Sequence, residues 1–343
     1  MAPRAPRLVI TCGELAGIGP ELILKAWWRR KEENLTPFSV LGPVSVFKKL
    51  IHELDMPISV QPIDANEEIE SLFQTALPVI DLPVSHPVSA GTPDRANAHV
   101  VIRAITKAAE MVLAGEYAGM VTAPIQKSAL YDDGFLFPGH TEYLGKLCAD
   151  QTGEAEQPVM MLACPELRVV PVTIHIPLEK VPHNLSCKEI VDVAKITAQA
   201  LNKDFGIAQP RLAIAALNPH AGEDGNMGNE EALYIRPAID QLNAEGIMAT
   251  GPHAADTLFH DNARRDYDAA ICMYHDQALI PLKTIDFYGG VNVTLGLPII
   301  RTSPDHGTAL GIAGRGIAEP RSMIEAIKVA GRMAQYRHQN SQS

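Results

Sequence analysis

The sequence predicts an α/β protein, and three observations support this. Apolar runs rich in β-branched residues alternate with longer helical patterns along all 343 residues, as in parallel sheets joined by crossover helices. No internal repeat, low-complexity tract or long linker interrupts the alternation. A chain of this length is expected to form about two domains or one large α/β domain.

Nine apolar segments are predicted strands, and helical patterns fill most of the intervals between them. Each is short and bounded by polar or turn-forming residues, which is typical of strands in a globular α/β protein. In chain order they span residues 7–13, 38–42, 58–63, 77–82, 119–124, 159–164, 168–176, 211–217 and 268–274.

Three helices have the clearest patterns. Residues 95–115 place apolar side chains on one face, as expected for an amphipathic helix. Ser186 and Glu189 have the spacing of a capping box, which predicts a helix over residues 187–205. A last amphipathic helix is predicted over residues 321–339.

Composition excludes several classes of function. The formal net charge of −11 argues against nucleic acid or an anionic membrane surface as a partner. Five scattered cysteines without a CxxC pair argue against a disulfide framework. Glu14 interrupts the N-terminal apolar stretch, and no later run reaches the length of a membrane span. We therefore expect a cytoplasmic protein.

Three predicted strands end at or just before a histidine: His175, His220 and His275. Ligands of open parallel sheets bind beyond the carboxyl ends of strands, so these imidazoles are candidates for a catalytic metal site. A hydrogen-bonded structural role is an equally open alternative. Asp276 follows His275 directly and is a candidate for orienting a histidine, for proton transfer or for capping a turn.

Two glycine-bearing loops are candidates for anion or nucleotide binding. Gly17 and Gly19 lie between the first strand and the next helix, where a tight turn or an anion site is expected. In PGHTEYLGK, His140 and Thr141 open a helix, with Thr141 as the predicted N-cap.

A long apolar, glycine-bearing stretch near the C-terminus is flanked by Lys283 and Arg301 and carries Asn292. Two cations and an amide are suited to holding a phosphate or carboxylate, although each residue alone is more often a solvated surface group. The segment DHGTA that follows is suited either to receiving an adenosine or to turning a corner.

Together these segments resemble the PdxA family of 4-hydroxythreonine-4-phosphate dehydrogenases, oxidoreductases of pyridoxine phosphate (vitamin B6) biosynthesis. The resemblance extends from GELAGIGPE to IAGRGIAEP, essentially the whole chain. Its most specific segments, in order, are VTAPIQK, FPGHTEYL, TIHIPL, LNPHAGE, MYHDQ, GGVNVTLGLPIIRTS and DHGTALGIAGRG.

The resemblance implies roles for particular residues. One divalent metal, zinc, magnesium or cobalt, would be bound at a site assembled across a homodimer interface by His175, His220 and His275. The substrate would be contacted by His140, Thr141, Lys283, Asn292 and Arg301. NAD or NADP would be contacted by Gly17, Gly19, His306, Gly307 and Thr308.

The fold implied is that of the isocitrate and isopropylmalate dehydrogenases, with two α/β/α domains flanking a cleft. We expect a terminal domain of residues 1–130 plus 294–343 that carries the nucleotide-binding loops. Residues 131–293 would form a central domain with the metal ligands and the dimer interface. The chain departs from the family pattern at Leu15, Asn226 and Ala278, which bears on fine specificity more than on the reaction class.

The implied reaction is NAD(P)- and metal-dependent oxidation of the C3 hydroxyl of 4-phosphooxy-L-threonine, followed by decarboxylation to 3-amino-2-oxopropyl phosphate. Asp276 is the candidate for proton transfer. A sister dehydrogenase of 4-phospho-threonate or 4-phospho-erythronate would use the same residues. A metal-dependent phosphohydrolase and a catalytically silent binding protein are alternatives from other classes.

Overall fold

The computed structural model describes residues 6–65, 68–130, 137, 139–153 and 157–340. The strands are β1 Leu8–Thr11, β2 Phe38–Gly42, β3 Val60–Pro62, β4 Leu77–Asp81, β5 Gly119–Thr122, β6 Val159–Cys164, β7 Leu167–Thr173, β8 Arg211–Ala215, β9 Met248–His253, β10 Ala269–Tyr274, β11 Val291–Leu295 and β12 Arg301–Pro304.

The α-helices complete the alternation that the sequence predicts. They are α1 Gly19–Trp28, α2 Val44–Glu53, α3 Glu70–Phe73, α4 Ala98–Leu113, α5 Lys127–Leu130, α6 His140–Thr152, α7 Val181–Asn184, α8 Cys187–Phe205, α9 Arg236–Ala244, α10 Ala255–Leu258, α11 His275–Ile285 and α12 Arg321–Asn340. No helix in the described ranges is long and apolar enough to cross a membrane.

The chain divides into two compact units, a terminal unit of Met1–Pro158 with Leu297–Ser343 and a central unit of Val159–Gly296. The sequence prediction drew its first boundary at residue 130, so it assigned α6 to the central part, whereas the contacts of α6 assign it to the terminal unit. The predicted domains themselves stay a prediction.

In the terminal unit the strands lie in the order β3-β4-β2-β1-β5-β12, and their pairings are parallel. Strands β1, β2 and β5 are buried along their whole length, as expected for a parallel sheet with both faces covered. The register sets Thr11 opposite Thr122. The carboxyl ends of β1 and β5 are therefore level, and the loops that follow them start from the same edge.

In the central unit the strands lie in the order β11-β6-β7-β10-β8-β9. The pairings of β11 with β6 and of β6 with β7 are antiparallel, and those of β7, β10, β8 and β9 are parallel. The register sets Tyr274 opposite Thr173. Residues that follow these two positions are thus neighbours at the carboxyl edge of the sheet.

All nine predicted strands overlap an observed strand, and the predicted helix over residues 187–205 is confirmed as α8. Its cap is also as predicted, because the Ser186 hydroxyl accepts a hydrogen bond from the Glu189 N–H at 3.2 Å. Strands β9, β11 and β12 were not predicted. Strand β9 carries glycine and proline, and β12 consists of polar residues and proline, so neither shows an apolar alternation. Strand β11, VNVTL, does alternate apolar and polar residues and was missed despite that signal.

Candidate active site

In the central unit, His175 and His275 lie together at the carboxyl edge of the sheet. Their ring centroids are 5.7 Å apart. This follows from the register, since β7 and β10 are parallel neighbours and each histidine lies just beyond its strand. Both rings line a cavity of about 220 Å³ that also includes Tyr274 and Asp276.

Asp276 orients the neighbouring ring. Its Oδ1 lies 2.8 Å from Nδ1 of His275. A carboxylate accepts hydrogen bonds, so Nδ1 carries the proton and the lone pair of the neutral ring is on Nε2. A histidine held in this way is a suitable metal ligand, because a carboxylate partner orients the ring and raises its basicity.

Gln277 has a structural role at the same edge. Its Oε1 accepts from the Met273 N–H at 2.7 Å, and its Nε2 donates to the Ala216 carbonyl at 2.6 Å. The buried amide thus ties the end of β10 to the segment that follows β8.

His220 lies in a loop of unusual backbone conformation. From His220 to Asp224 the φ angles are 52°, 55°, 80°, 41° and 54°, a left-handed run that non-glycine residues rarely adopt. Buried Glu231 holds the start of this loop: its Oε1 accepts from the N–H groups of Leu217 at 2.9 Å and Asn218 at 2.7 Å. A methyl group at Gly222 would lie 2.7 Å from Oε2 of Glu231, so the loop packs closely on this carboxylate.

The histidines of the central unit suit a divalent metal, but one chain brings only His175 and His275 together. Two imidazoles on one cavity are suitable ligands for zinc and neighbouring metals. Across the described ranges, no three histidine, cysteine or acidic side chains are close enough to hold a metal ion. Exposed His220 therefore does not join His175 and His275 in one chain.

Two further predicted substrate residues belong to the central unit. Lys283 lies on α11 and lines an open pocket with His275, Asp276 and Leu279, which is the face expected from the helical repeat. Asn292 lies on β11, and its Oδ1 is buried without a hydrogen-bond partner among the described residues. A buried amide oxygen in this state is suited to accept from a ligand.

The terminal unit contains a cluster of Arg301, Lys127, His140 and Glu142 around the start of α6. Arg301 is 3% exposed and donates to Oγ1 of Thr122 from Nη2 at 2.7 Å and from Nε at 3.2 Å. Burial lowers the pKa of this guanidinium to about 10, and the carboxylate of Glu142 acts in the opposite direction. The group is still a cation at neutral pH.

His140 is a neutral imidazole within this cluster. Burial, then the charges of Arg301 and Lys127, hold the pKa of His140 well below its ordinary value of 6.5. Its Nε2 is buried without a hydrogen-bond partner among the described residues. Thr141 follows in the first turn of α6, but the prediction that it is the N-cap is wrong. Helix α6 begins at His140. Its N-cap is therefore Gly139, which supplies no side-chain hydrogen bond.

The two predicted nucleotide-binding segments meet in the terminal unit. The N–H of Ile18 donates to the Thr308 carbonyl at 3.0 Å. A methyl group at Gly17 would lie 3.0 Å from the same carbonyl oxygen, so glycine permits the close approach. Gly19 begins α1, and Nδ1 of His306 lies 3.0 Å from the Gly307 carbonyl.

A cavity of about 400 Å³ lies beside this junction, with mostly apolar side chains. Gly17 contributes to its lining, together with Leu15, Lys49, His86 and Gly314. This cavity lies next to the glycine loop and offers apolar contacts that suit a nucleotide base.

Sequence reasoning missed several residues that the structure places at these sites. Thr122, Lys127 and Glu142 surround His140 and Arg301, and Glu231 supports the His220 loop. A signal existed for Lys127, because VTAPIQK leaves a buried parallel strand at the edge where ligands bind. Nothing local marks Glu231, since its partners precede it in the chain by more than a helical turn.

The comparisons with known proteins agree with one another. A 4-hydroxythreonine-4-phosphate dehydrogenase of Caulobacter vibrioides is 51% identical and covers 95% of this chain and 97% of its own length. One of Erythrobacter litoralis is 50% identical, with 97% of each chain covered. A crystal structure of the Klebsiella pneumoniae enzyme is 36% identical, with a TM-score of 0.84, and the alignment covers 96% of this chain and 100% of that one.

The fold and these relatives define an α/β enzyme of the oxidoreductase class, and a dehydrogenase implies a nicotinamide cofactor. The chain belongs to the PdxA family: the family model, described as pyridoxal phosphate biosynthetic protein PdxA, matches residues 33–330. The predicted family, α/β fold class and enzyme class are confirmed. The roles of individual site residues stay predictions.

Proposed function

We propose that the protein oxidises the C3 hydroxyl of 4-phosphooxy-L-threonine and passes the C3 hydride to NAD or NADP. The hydroxyl proton is released, and the resulting β-keto acid loses carbon dioxide to give 3-amino-2-oxopropyl phosphate. The observation that carries the proposal is the 51% identity, over nearly the full length of both chains, to a relative named for this substrate.

The anionic ends of the substrate are bound by cationic side chains and by neutral hydrogen-bonding groups. Arg301 offers a buried guanidinium and His140 a neutral ring with a buried Nε2, while Thr141 adds a hydroxyl. Lys283 is assigned to the substrate as a further cation, and Asn292 through its buried Oδ1. Holding the ends of the substrate fixes C3 relative to the hydride acceptor, which lowers the entropic part of the barrier.

The nicotinamide cofactor is assigned to the junction of the glycine loop and the loop of residues 306–308. Gly17 and Gly19 keep the backbone close at the start of α1, and a helix of this length favours a phosphate at its N-terminus. His306, Gly307 and Thr308 form the other side of the junction. The neighbouring apolar cavity supports the placement of the adenosine there.

The divalent metal is assigned to His175, His220 and His275. When bound, it supplies Lewis-acid polarisation of the reacting oxygen. Because His220 stands apart from the other two in one chain, we propose that a homodimer completes the set. Asp276 lies 2.8 Å from His275, which supports an orienting role for this carboxylate more than direct proton transfer.

One assay tests the reaction. The full-length protein is mixed with 4-phosphooxy-L-threonine and NAD or NADP, with and without chelator, and absorbance of the reduced nicotinamide is followed. We expect turnover that the chelator abolishes. The same assay with 4-phospho-threonate and 4-phospho-erythronate separates the sister activities, and a preference for either hydroxy acid refutes the proposed substrate. Release of phosphate without nicotinamide reduction identifies a phosphohydrolase instead.

A further inference from the structure

The connection between β5 and α6 has a distinctive sequence and joins two parts of the terminal unit that carry predicted site residues. Strand β5 ends at Thr122, and the segment VTAPIQK continues to Gln126 and Lys127. Oε1 of Gln126 accepts from the Thr308 hydroxyl at 3.1 Å. The segment therefore contacts the predicted nucleotide loop through one residue, and the next residue extends to the start of α6.

The position of the Lys127 ammonium follows from its distance to Gly139. A methyl group built on Gly139 would lie 3.8 Å from Nζ of Lys127 and 3.4 Å from Oε2 of Glu142. Gly139 is the N-cap of a 13-residue helix, and no side chain caps it. The ammonium thus lies beside a helix N-terminus, where the helix dipole already favours an anion.

Among the described residues, the charges around the start of α6 do not balance. Lys127 and Arg301 are cations, His140 is neutral, and Glu142 is the carboxylate that acts on Arg301. Placing a second cation near a buried guanidinium is unfavourable unless an anion accompanies it. The buried Nε2 of His140, without a partner among the described residues, is a second and independent sign of a missing polar group.

We infer that Lys127 is a further substrate-binding residue, whose ammonium contacts an oxyanion of the substrate together with Arg301 and the first turn of α6. The oxyanion is either the phosphate or the carboxylate of the substrate. The identity of that substrate rests on the proposed function, whereas the presence of an anion site does not. Lys127 is solvent-exposed, so its replacement leaves the folded core intact.

The first test is kinetic and uses Lys127→Gln in the full-length protein. Loss of one charge-assisted hydrogen bond is expected to raise KM for 4-phosphooxy-L-threonine by about 10- to 100-fold, with a smaller change in kcat. Lys127→Arg, which keeps the charge, should recover part of the loss. Lys146→Gln is the matched control, because Lys146 is an exposed cation on α6 that pairs with Asp150. Its KM should stay unchanged.

The second test measures anion binding without turnover. Calorimetry with inorganic phosphate and, separately, with 4-hydroxy-L-threonine compares the wild type with Lys127→Gln. Weaker binding of phosphate alone assigns Lys127 to the phosphate end, and weaker binding of 4-hydroxy-L-threonine alone assigns it to the carboxylate end. If both probes bind the variant as they bind the wild type, the inference is wrong. Because neither probe is oxidised, this outcome is independent of the proposed dehydrogenase reaction.

Discussion

Replacing Glu231 with glutamine is expected to loosen the loop that carries His220. Four non-glycine residues of this loop, His220, Ala221, Glu223 and Asp224, have left-handed φ angles. Each such residue costs roughly 1–2 kcal/mol, or about 4–8 kcal/mol together. Surrounding interactions of similar size must hold this conformation in the folded protein.

Glu231 supplies a large part of that stabilisation. Its carboxylate accepts from Leu217 N–H at 2.9 Å, Asn218 N–H at 2.7 Å and Asn218 Nδ2 at 2.9 Å. Hydrogen bonds to a charged acceptor contribute about 1.5–3 kcal/mol each. A glutamine at this position directs its NH2 group at one of these donors in either orientation. We therefore expect Glu231→Gln to lower the free energy of unfolding by about 2–4 kcal/mol.

Two measurements test this prediction. Hydrogen exchange should show faster exchange of the backbone amides of residues 217–226, and urea denaturation should show the loss of stability. Zinc affinity, measured by calorimetry, should fall by about tenfold or more if His220 is a ligand. Glu230→Gln is the control, since Glu230 accepts only from the Asn218 side chain among these groups, at 2.8 Å. Unchanged exchange and stability in Glu231→Gln would refute the reasoning.

Three further predictions concern the buried histidine, the orienting carboxylate and the buried guanidinium. The folded-state pKa of His140 is depressed, so its stabilising contribution is present above about pH 6.5 and is lost as pH falls. In urea denaturation at different pH values, the free energy of unfolding of His140→Gln should therefore fall less between about pH 7 and 5 than that of the wild type. An equal fall in the two proteins would contradict this. Asp276→Asn should reduce metal affinity by about 10- to 100-fold in calorimetry, with little change in Tm, and wild-type affinity would exclude the orienting role. Arg301→Lys keeps the charge but lacks the planar set of donors that contacts Thr122, so KM should rise by about tenfold or more, whereas an unchanged KM would rule out substrate contact.

The pairing of His175 with His275 could be predicted because it depends on a simple rule. Both follow apolar strands, and the carboxyl ends of neighbouring parallel strands meet at one edge. The same rule did not place His220, which also follows a predicted strand. Its position depends on a left-handed loop held by Glu231, and this interaction joins residues whose types have no local pattern. A short stretch of sequence does not show which distant side chain will accept a hydrogen bond from a given backbone N–H group.

The burial of Arg301 also could not be predicted from the sequence. Strand β12 begins at Arg301 and continues through Thr302 and Ser303, so it has no apolar alternation that would mark it. It is buried because it pairs in parallel with β5, whose Thr122 accepts two of the guanidinium donors. Polar side chains can occupy a buried strand when their partners lie on the neighbouring strand. Strand prediction fails at such positions, and these are often functional.

Residue type alone also does not determine which hydrogen-bonding or metal-binding role a histidine can take, as His140 and His275 illustrate. Each is the first residue of a helix, α6 or α11. His140 lies near two cations and stays neutral, and its buried Nε2 suits contact with an anionic substrate only as a hydrogen-bond donor. His275 has Asp276 at Nδ1, which leaves Nε2 as a lone-pair donor to a metal. The same side chain in the same local position is therefore suited to opposite tasks, and only the neighbours that folding brings to it decide which one it performs.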